Sequence, residues 1–192
     1  HMLSKFIGLT SLGCLLSSCA TATWVAPDAG SLPASLKVQM DVPSHDMSKY
    51  LRPDFPTDSV GMRDWSKPSI AKGLIKAARL DSIHWVDTLS VVQDSELIDG
   101  DKYLINKPVS CSDDSWVLTI SRSNYYDQGS SSSLPALFVV GNYALFNCAK
   151  QKILAKGRVY SRTPFFNLKK SDWETGFTDF GAEIGKYLPR RK

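Results

Sequence analysis

Apolar and polar positions recur along this chain with two periods that mark out strands and helices before any other property is considered. Leu36, Val38, Met40 and Val42 alternate with Lys37, Gln39 and Asp41, the period-two signature of a strand with one buried face. A proline-rich, irregular stretch follows through Pro43, Pro53, Pro56 and Pro68. Pro68 and Ser69 then open a helix over about 69–79, in which Ile70, Leu74 and Ala78 share one face. The apolar, β-branched run 83–92 predicts a strand. Asp99-Gly100, set between Leu97-Ile98 and Tyr103-Leu104-Ile105, predicts a tight turn joining two short strands. Trp116, Leu118 and Ile120 alternate with Val117, Thr119 and Ser121 in a further strand that runs toward Tyr125, and the serine-rich 129–133 reads as a loop.

The strongest pairing signal comes later. Residues 137–148 are apolar and aromatic. The chain returns over 153–162 with Lys152, Lys156 and Arg158 interspersed among Ile153, Ala155, Gly157 and Val159. The two runs predict a long antiparallel hairpin whose second strand has one wet face. Ser171-Asp172-Trp173-Glu174 has the form of a capping box, and Trp173, Phe177, Phe180, Ile184 and Leu188 then follow the helical period to Pro189, a helix over 172–188. That aromatic stripe fits a core face; a greasy groove for an acyl chain or a partner helix is the functional alternative. The succession predicts one α+β domain over 36–192: a mainly antiparallel or mixed sheet with a long C-terminal hairpin, packed by two helices.

Composition adds little to this, since 43% hydrophobic and 22% charged residues describe an ordinary folded protein. The net charge of +4 conceals an asymmetry. Acids gather in the middle (Asp81, Asp87, Asp94, Glu96, Asp99, Asp101) and bases toward the end (Lys150, Lys152, Lys156, Arg158, Arg162, Lys169, Lys170). A basic face suits phospholipid head groups, lipopolysaccharide phosphates or an acidic partner; a solvated surface accounts for it equally well. Cys111 and Cys148 lack the spacing of a zinc site and are expected to form a disulfide in an oxidising compartment.

Ahead of the domain, Met2 and Lys5 precede an apolar run from Phe6 to Leu16, about ten residues where a membrane span needs about 20. It ends in Leu16-Ser17-Ser18-Cys19. The segment resembles a bacterial lipoprotein signal peptide, in which leucine and two small residues precede the cysteine that receives the lipid. The resemblance implies that residues 1–18 are a signal peptide, that Cys19 is lipidated, and that membrane lipid is a partner through the N-terminal acyl chains. It also implies a domain facing the periplasm. Ala20 stands where inner-membrane retention favours aspartate, so the expected address is the outer membrane. Residues 19–35, small, polar and proline-containing, read as the lipidated cysteine and a flexible tether with a reach of about 50 Å.

Catalytic signals are missing. There is no Gly-x-Ser-x-Gly elbow, and His45 lies beside Ser44 and Asp46, where adjacent residues cannot orient one another as a triad requires. His84, between Ile83 and Trp85, reads as a packed or surface-edge histidine. Asp113-Asp114 fits a solvated turn as well as a metal pair. The chain is therefore expected not to be an enzyme, with no catalytic residue, metal or cofactor, and nucleic acid is a poor partner in that compartment.

Tyr50-Leu51-Arg52, Trp65 and Pro68 leading into Ile70 and Leu74, and the later order of strand, hairpin and helix behind a lipidated cysteine resemble the auxiliary lipoproteins of ABC-type lipid transporters, the paraquat-inducible C type. The resemblance covers most of 36–188 in outline. Pro53-Asp54-Phe55-Pro56 departs from it by breaking an expected strand, and the cysteine pair is not a family feature. It implies a compact α+β domain without catalytic residues that docks on an envelope protein complex moving lipids between membranes. Tyr50, Arg52 and Trp65 are the expected contact residues, with Lys156 and Arg158 on the hairpin; a core plug over the first helix is the alternative for Trp65. A secretion or conjugation component of the outer membrane is a second reading. A periplasmic lipid carrier, with a cavity lined from Phe138 to Phe180, is a third.

Overall fold

The computed structural model describes residues 21–46, 55–56, 58–111, 115–128, 135–166 and 168–191. In chain order the elements among them are β1 (Ala22–Val25), β2 (Ser35–Met40), β3 (Ser44–Asp46), α1 (Ser59–Ala78), β4 (Ser82–Trp85), β5 (Val91–Ile98), β6 (Asp101–Pro108), β7 (Trp116–Gln128), β8 (Ala136–Asn147), β9 (Lys152–Pro164) and α2 (Lys170–Lys186). The class is α+β, as the hydrophobic pattern predicts.

The predicted hairpin is the centre of the main sheet. β8 and β9 pair antiparallel from Ala136↔Pro164 to Asn147↔Lys152, and β7 flanks β8 antiparallel. Beyond β7 the sheet turns parallel, with β2 on β7 and β4 on β2, giving the order β1-β9-β8-β7-β2-β4; β3 pairs with the far end of β7. Parallel neighbours need a crossover, and α1 supplies it between β2 and β4.

Both helices cover one face. Leu36, Val38, Leu118, Ile120, Val139 and Tyr143 meet Ile70, Leu74, Trp173, Phe177, Phe180 and Ile184 in a single core. The helices run parallel and touch backbone to backbone. A Cβ on Gly73 would lie 1.9 Å from the Thr178 carbonyl oxygen, and one on Gly181 would lie 2.1 Å from that of Ile70. On the other face lies the hairpin β5–β6, turned at Asp99-Gly100 with both φ positive (52° and 89°), as a two-residue hairpin turn requires. Its Ile105 packs on Ala144 and Phe146. Covered on both faces, β8 buries every one of its residues. A disulfide joins Cys111, after β6, to Cys148, after β8, with Cα atoms 5.3 Å apart, so the expected pair is formed and pins the hairpin to the sheet.

Several boundaries differ from expectation. The stretch 19–35, read as a tether, is in its described part built into the domain: β1 pairs with β9, and Ala26, Ala29 and Leu32 are buried in the core. Alternation over four residues at a sheet edge is too short a signal to outweigh proline and glycine nearby. α1 starts ten residues earlier than expected. Asp58 caps it by accepting a 2.7 Å hydrogen bond from the Gly61 N–H, and Pro68 lies inside it on an exposed face. Its buried face begins at Met62 and Ser66, and the serine interrupted the apolar period; Ser66 Oγ lies 3.2 Å from the Tyr125 hydroxyl. Residues 83–92 divide between β4 and β5, in different sheets. α2 runs over 170–186 instead of 172–188, and its start is closed by the Asp172 carboxylate accepting from the Lys169 N–H at 2.7 Å, not by Ser171 and Glu174. The loop at 129–133 and the pair Asp113-Asp114 lie outside the described residues.

Candidate functional site

Lys156 and Arg158 stand two residues apart on β9, so both project from the face opposite the helices. Their surroundings separate them. Lys156 Nζ donates to Glu96 Oε2 on the covering hairpin at 2.7 Å and lies 5.2 Å from the Trp24 ring centroid. Glu96 also pairs with Lys107 at 2.6 Å, and Lys107 in turn with Asp94. Burial works to raise the Glu96 pKa, but the bonds from Lys107 and Lys156 outweigh it and hold the carboxyl below its ordinary value. The acids of the middle of the chain thus neutralise bases near its end, and Asp81 with Arg191 (2.7 Å) repeats the pattern; Asp28, nearer the start, likewise pairs with Lys152 (2.7 Å). Lys156 is bound into the fold.

Arg158 lines a cleft of about 440 Å³ between the sheet and the hairpin, shared with Arg122, Asn124, Gln93, Ser44 and Asp41. Arg122 sits where the β7–β8 register shifts between Ser121 and Asn124, with φ of 53°. A bulge that forces a non-glycine residue into the left-handed region costs on the order of 1 kcal/mol and re-aims the side chain. The Asp41 carboxylate is engaged by Asn106 Nδ2 at 2.7 Å. Among the described residues, neither Arg122 nor Arg158 has an ion-pair partner. Two guanidinium groups in one concavity suit a carboxylate or phosphate group, which their planar donor array can grip with paired hydrogen bonds.

Of the other expected contact residues, Tyr50 and Arg52 lie outside the described residues, as does Cys19. Trp65 is in α1, set edge-on between Phe55 (centroids 5.4 Å apart, 90°) and Phe177 (5.3 Å, 87°), with Lys170 Nζ 5.8 Å from its ring. It joins the two helices at their N-terminal ends. The cavity imagined from Phe138 to Phe180 does not form, because the two rings lie on opposite faces of the sheet: Phe180 fills the helix side against Gly141, whereas Phe138 stacks on Tyr126 beyond it. His84 is an exposed edge residue of β4.

Arg122 was not legible as a site residue, although Ser121-Arg122-Ser123-Asn124 interrupts the alternation of β7 and is the trace of the bulge. Phe166, 85% exposed between β9 and α2, was also missed; the adjacent Phe165 is buried.

No protein-family model and no curated protein matches the chain. Similar solved structures include PelC from Paraburkholderia phytofirmans, described as a dodecamer, with TM-score 0.45 and 11% identity over 90% of this chain and 98% of that one. A DUF330-family protein from Xanthomonas campestris aligns with TM-score 0.38 and 11% identity over 84% and 86%. A hypothetical protein from Chlamydia trachomatis aligns with TM-score 0.40 and 9% identity over 80% and 98%. At these scores the likenesses assign no activity or partner.

Proposed function

We propose that this chain is a non-enzymatic lipoprotein of the outer membrane that faces the periplasm and docks on an envelope protein complex, as an auxiliary component of an ABC-type system moving lipid between membranes. The observation that carries this reading is that Cys19, at the end of the lipoprotein-like signal, precedes β1 by only three positions, so a lipid there ties the folded domain itself to the bilayer. The Cys111–Cys148 disulfide fits an exported chain. The Arg122–Arg158 cleft supplies a place for an acidic group of the partner. The partner class follows from the resemblance of the sequence to auxiliary lipoproteins.

Two measurements test it. The wild-type chain should incorporate labelled palmitate and fractionate with outer membranes, and Cys19→Ser should do neither. Crosslinking in intact cells should recover an envelope complex, and Arg122→Glu with Arg158→Glu should lose it while the circular dichroism spectrum stays unchanged. An unlabelled chain in the cytoplasm, or a capture unaffected by reversing both charges, would count against the reading.

A further inference from the structure

β1 runs antiparallel to β9 with Ala22 opposite Arg158, so β1 begins on the side toward which β9 finishes. α1 and α2 also begin at that end, shown by Trp65 reaching Lys170. Cys19 and Ala22 are three positions apart, a span of at most about 10 Å, in place of the roughly 50 Å of a free tether. A lipid on Cys19 therefore draws one particular end of the domain onto the bilayer.

That end carries the most exposed large apolar side chain among the described residues, Phe166 at 85%. Lys169 and Lys170 follow it, and Val60, half exposed, opens α1. The described acids nearby are each hydrogen-bonded or paired: Asp58 accepts from the Gly61 N–H, Asp172 from the Lys169 N–H, and Asp64 pairs with Arg63 and Lys67. Among the described residues of the corner, Glu174 stands against the lysines without such a bond. An aromatic tip with flanking lysines has the chemistry of the bilayer interface, with the ring among the upper acyl carbons and the ammonium groups at phosphate level.

We infer that the Phe166 corner is a second membrane contact, which inserts into a phospholipid surface and fixes the orientation of the domain. Cys19 can reach about the level of Ser161 on β9, and Phe166 lies five residues further, roughly 16 Å along an extended chain. Both can touch the bilayer only if the sheet meets it obliquely. The Arg122–Arg158 cleft, well back from that end, is then left open to the side for a partner.

The orientation rests on lipidation of Cys19, but the affinity of the corner for lipid does not. The test is therefore made on the chain from position 19 onward, which lacks the apolar run Phe6–Leu16 and carries Cys19→Ser, co-sedimented with vesicles of phosphatidylethanolamine alone or mixed with phosphatidylglycerol. The chain should bind the mixed vesicles. Phe166→Ser should weaken binding about tenfold on both kinds, the loss of one buried aromatic side chain, and Lys169→Glu should weaken it on the mixed vesicles only. Equal binding by Phe166→Ser and its parent overturns the inference. So does a Phe166→Ser effect confined to self-association in sedimentation velocity, which would make the corner a protein contact. Failure of palmitate labelling would remove the anchor without touching the vesicle result, so the two readings fail separately.

Discussion

Trp65 shows how a single ring can be read two ways until its neighbours are known. Edge-on contacts to Phe55 and Phe177 make it part of the seam between the helices. Trp65→Ala is expected to lower the unfolding free energy by about 3 kcal/mol, and Trp65→Phe by clearly less, measured by urea denaturation. Glu96 has a different signature. Its carboxyl is held below the ordinary 4.5 by Lys107 and Lys156 despite the opposing effect of burial, so its contribution is present above that value and is lost as pH falls through the folded-state pKa. Urea midpoints followed from neutral pH into acid should therefore fall more steeply for the parent than for Glu96→Gln.

At the level of elements, the helix pair depends on glycine where two backbones meet. Gly73 and Gly181 leave no room for a methyl group, because the nearest atoms are carbonyl oxygens that no rotamer change can move. Gly181→Ala should cost about 3 kcal/mol by forcing the helices apart, visible as a lower urea midpoint with an unchanged slope. This contact also explains how α1 tolerates Pro68: the helix is held by its buried face, and the proline lies on the exposed side. The hairpin β5–β6 is likewise held by what it covers. Asn142 Nδ2 donates to the Leu104 carbonyl at 2.7 Å and Thr119 Oγ1 to that of Asn106 at 2.7 Å, polar links that leave hydrophobic packing to Ile105.

Across the whole molecule, three layers (helices, sheet and hairpin) are fastened by one covalent link. The Cys111–Cys148 bond closes a sequence separation of 37 residues, and on the chain-entropy account its loss should cost about 4 kcal/mol. Thermal unfolding with and without reductant should show a lower midpoint for the reduced chain. The same layering decides what the molecule offers to others. Among the described residues the helix side is filled by one apolar core, the hairpin face keeps a cleft with two arginines, and one end carries Phe166.

Periodic signals that depend only on near neighbours were readable without coordinates: the β8–β9 hairpin, the Asp99-Gly100 turn, the aromatic stripe of α2 and the cysteine pair. Each is set by side chains a few positions apart or by a chemistry with one plausible partner. Tertiary structure alone decided the rest. β1 is a strand because an edge of β9 was free to receive it, although its own four residues carry too little pattern to announce it. α1 extends through Pro68 because Met62 and Ser66 are buried against distant strands, energy that no local propensity contains. Lys156 and Arg158 look alike in sequence and differ in the fold, since Glu96, 60 positions away, reaches only the first of them. Charge pairing and close packing are properties of the space between elements, and a linear pattern records them only where that space is spanned by adjacent residues.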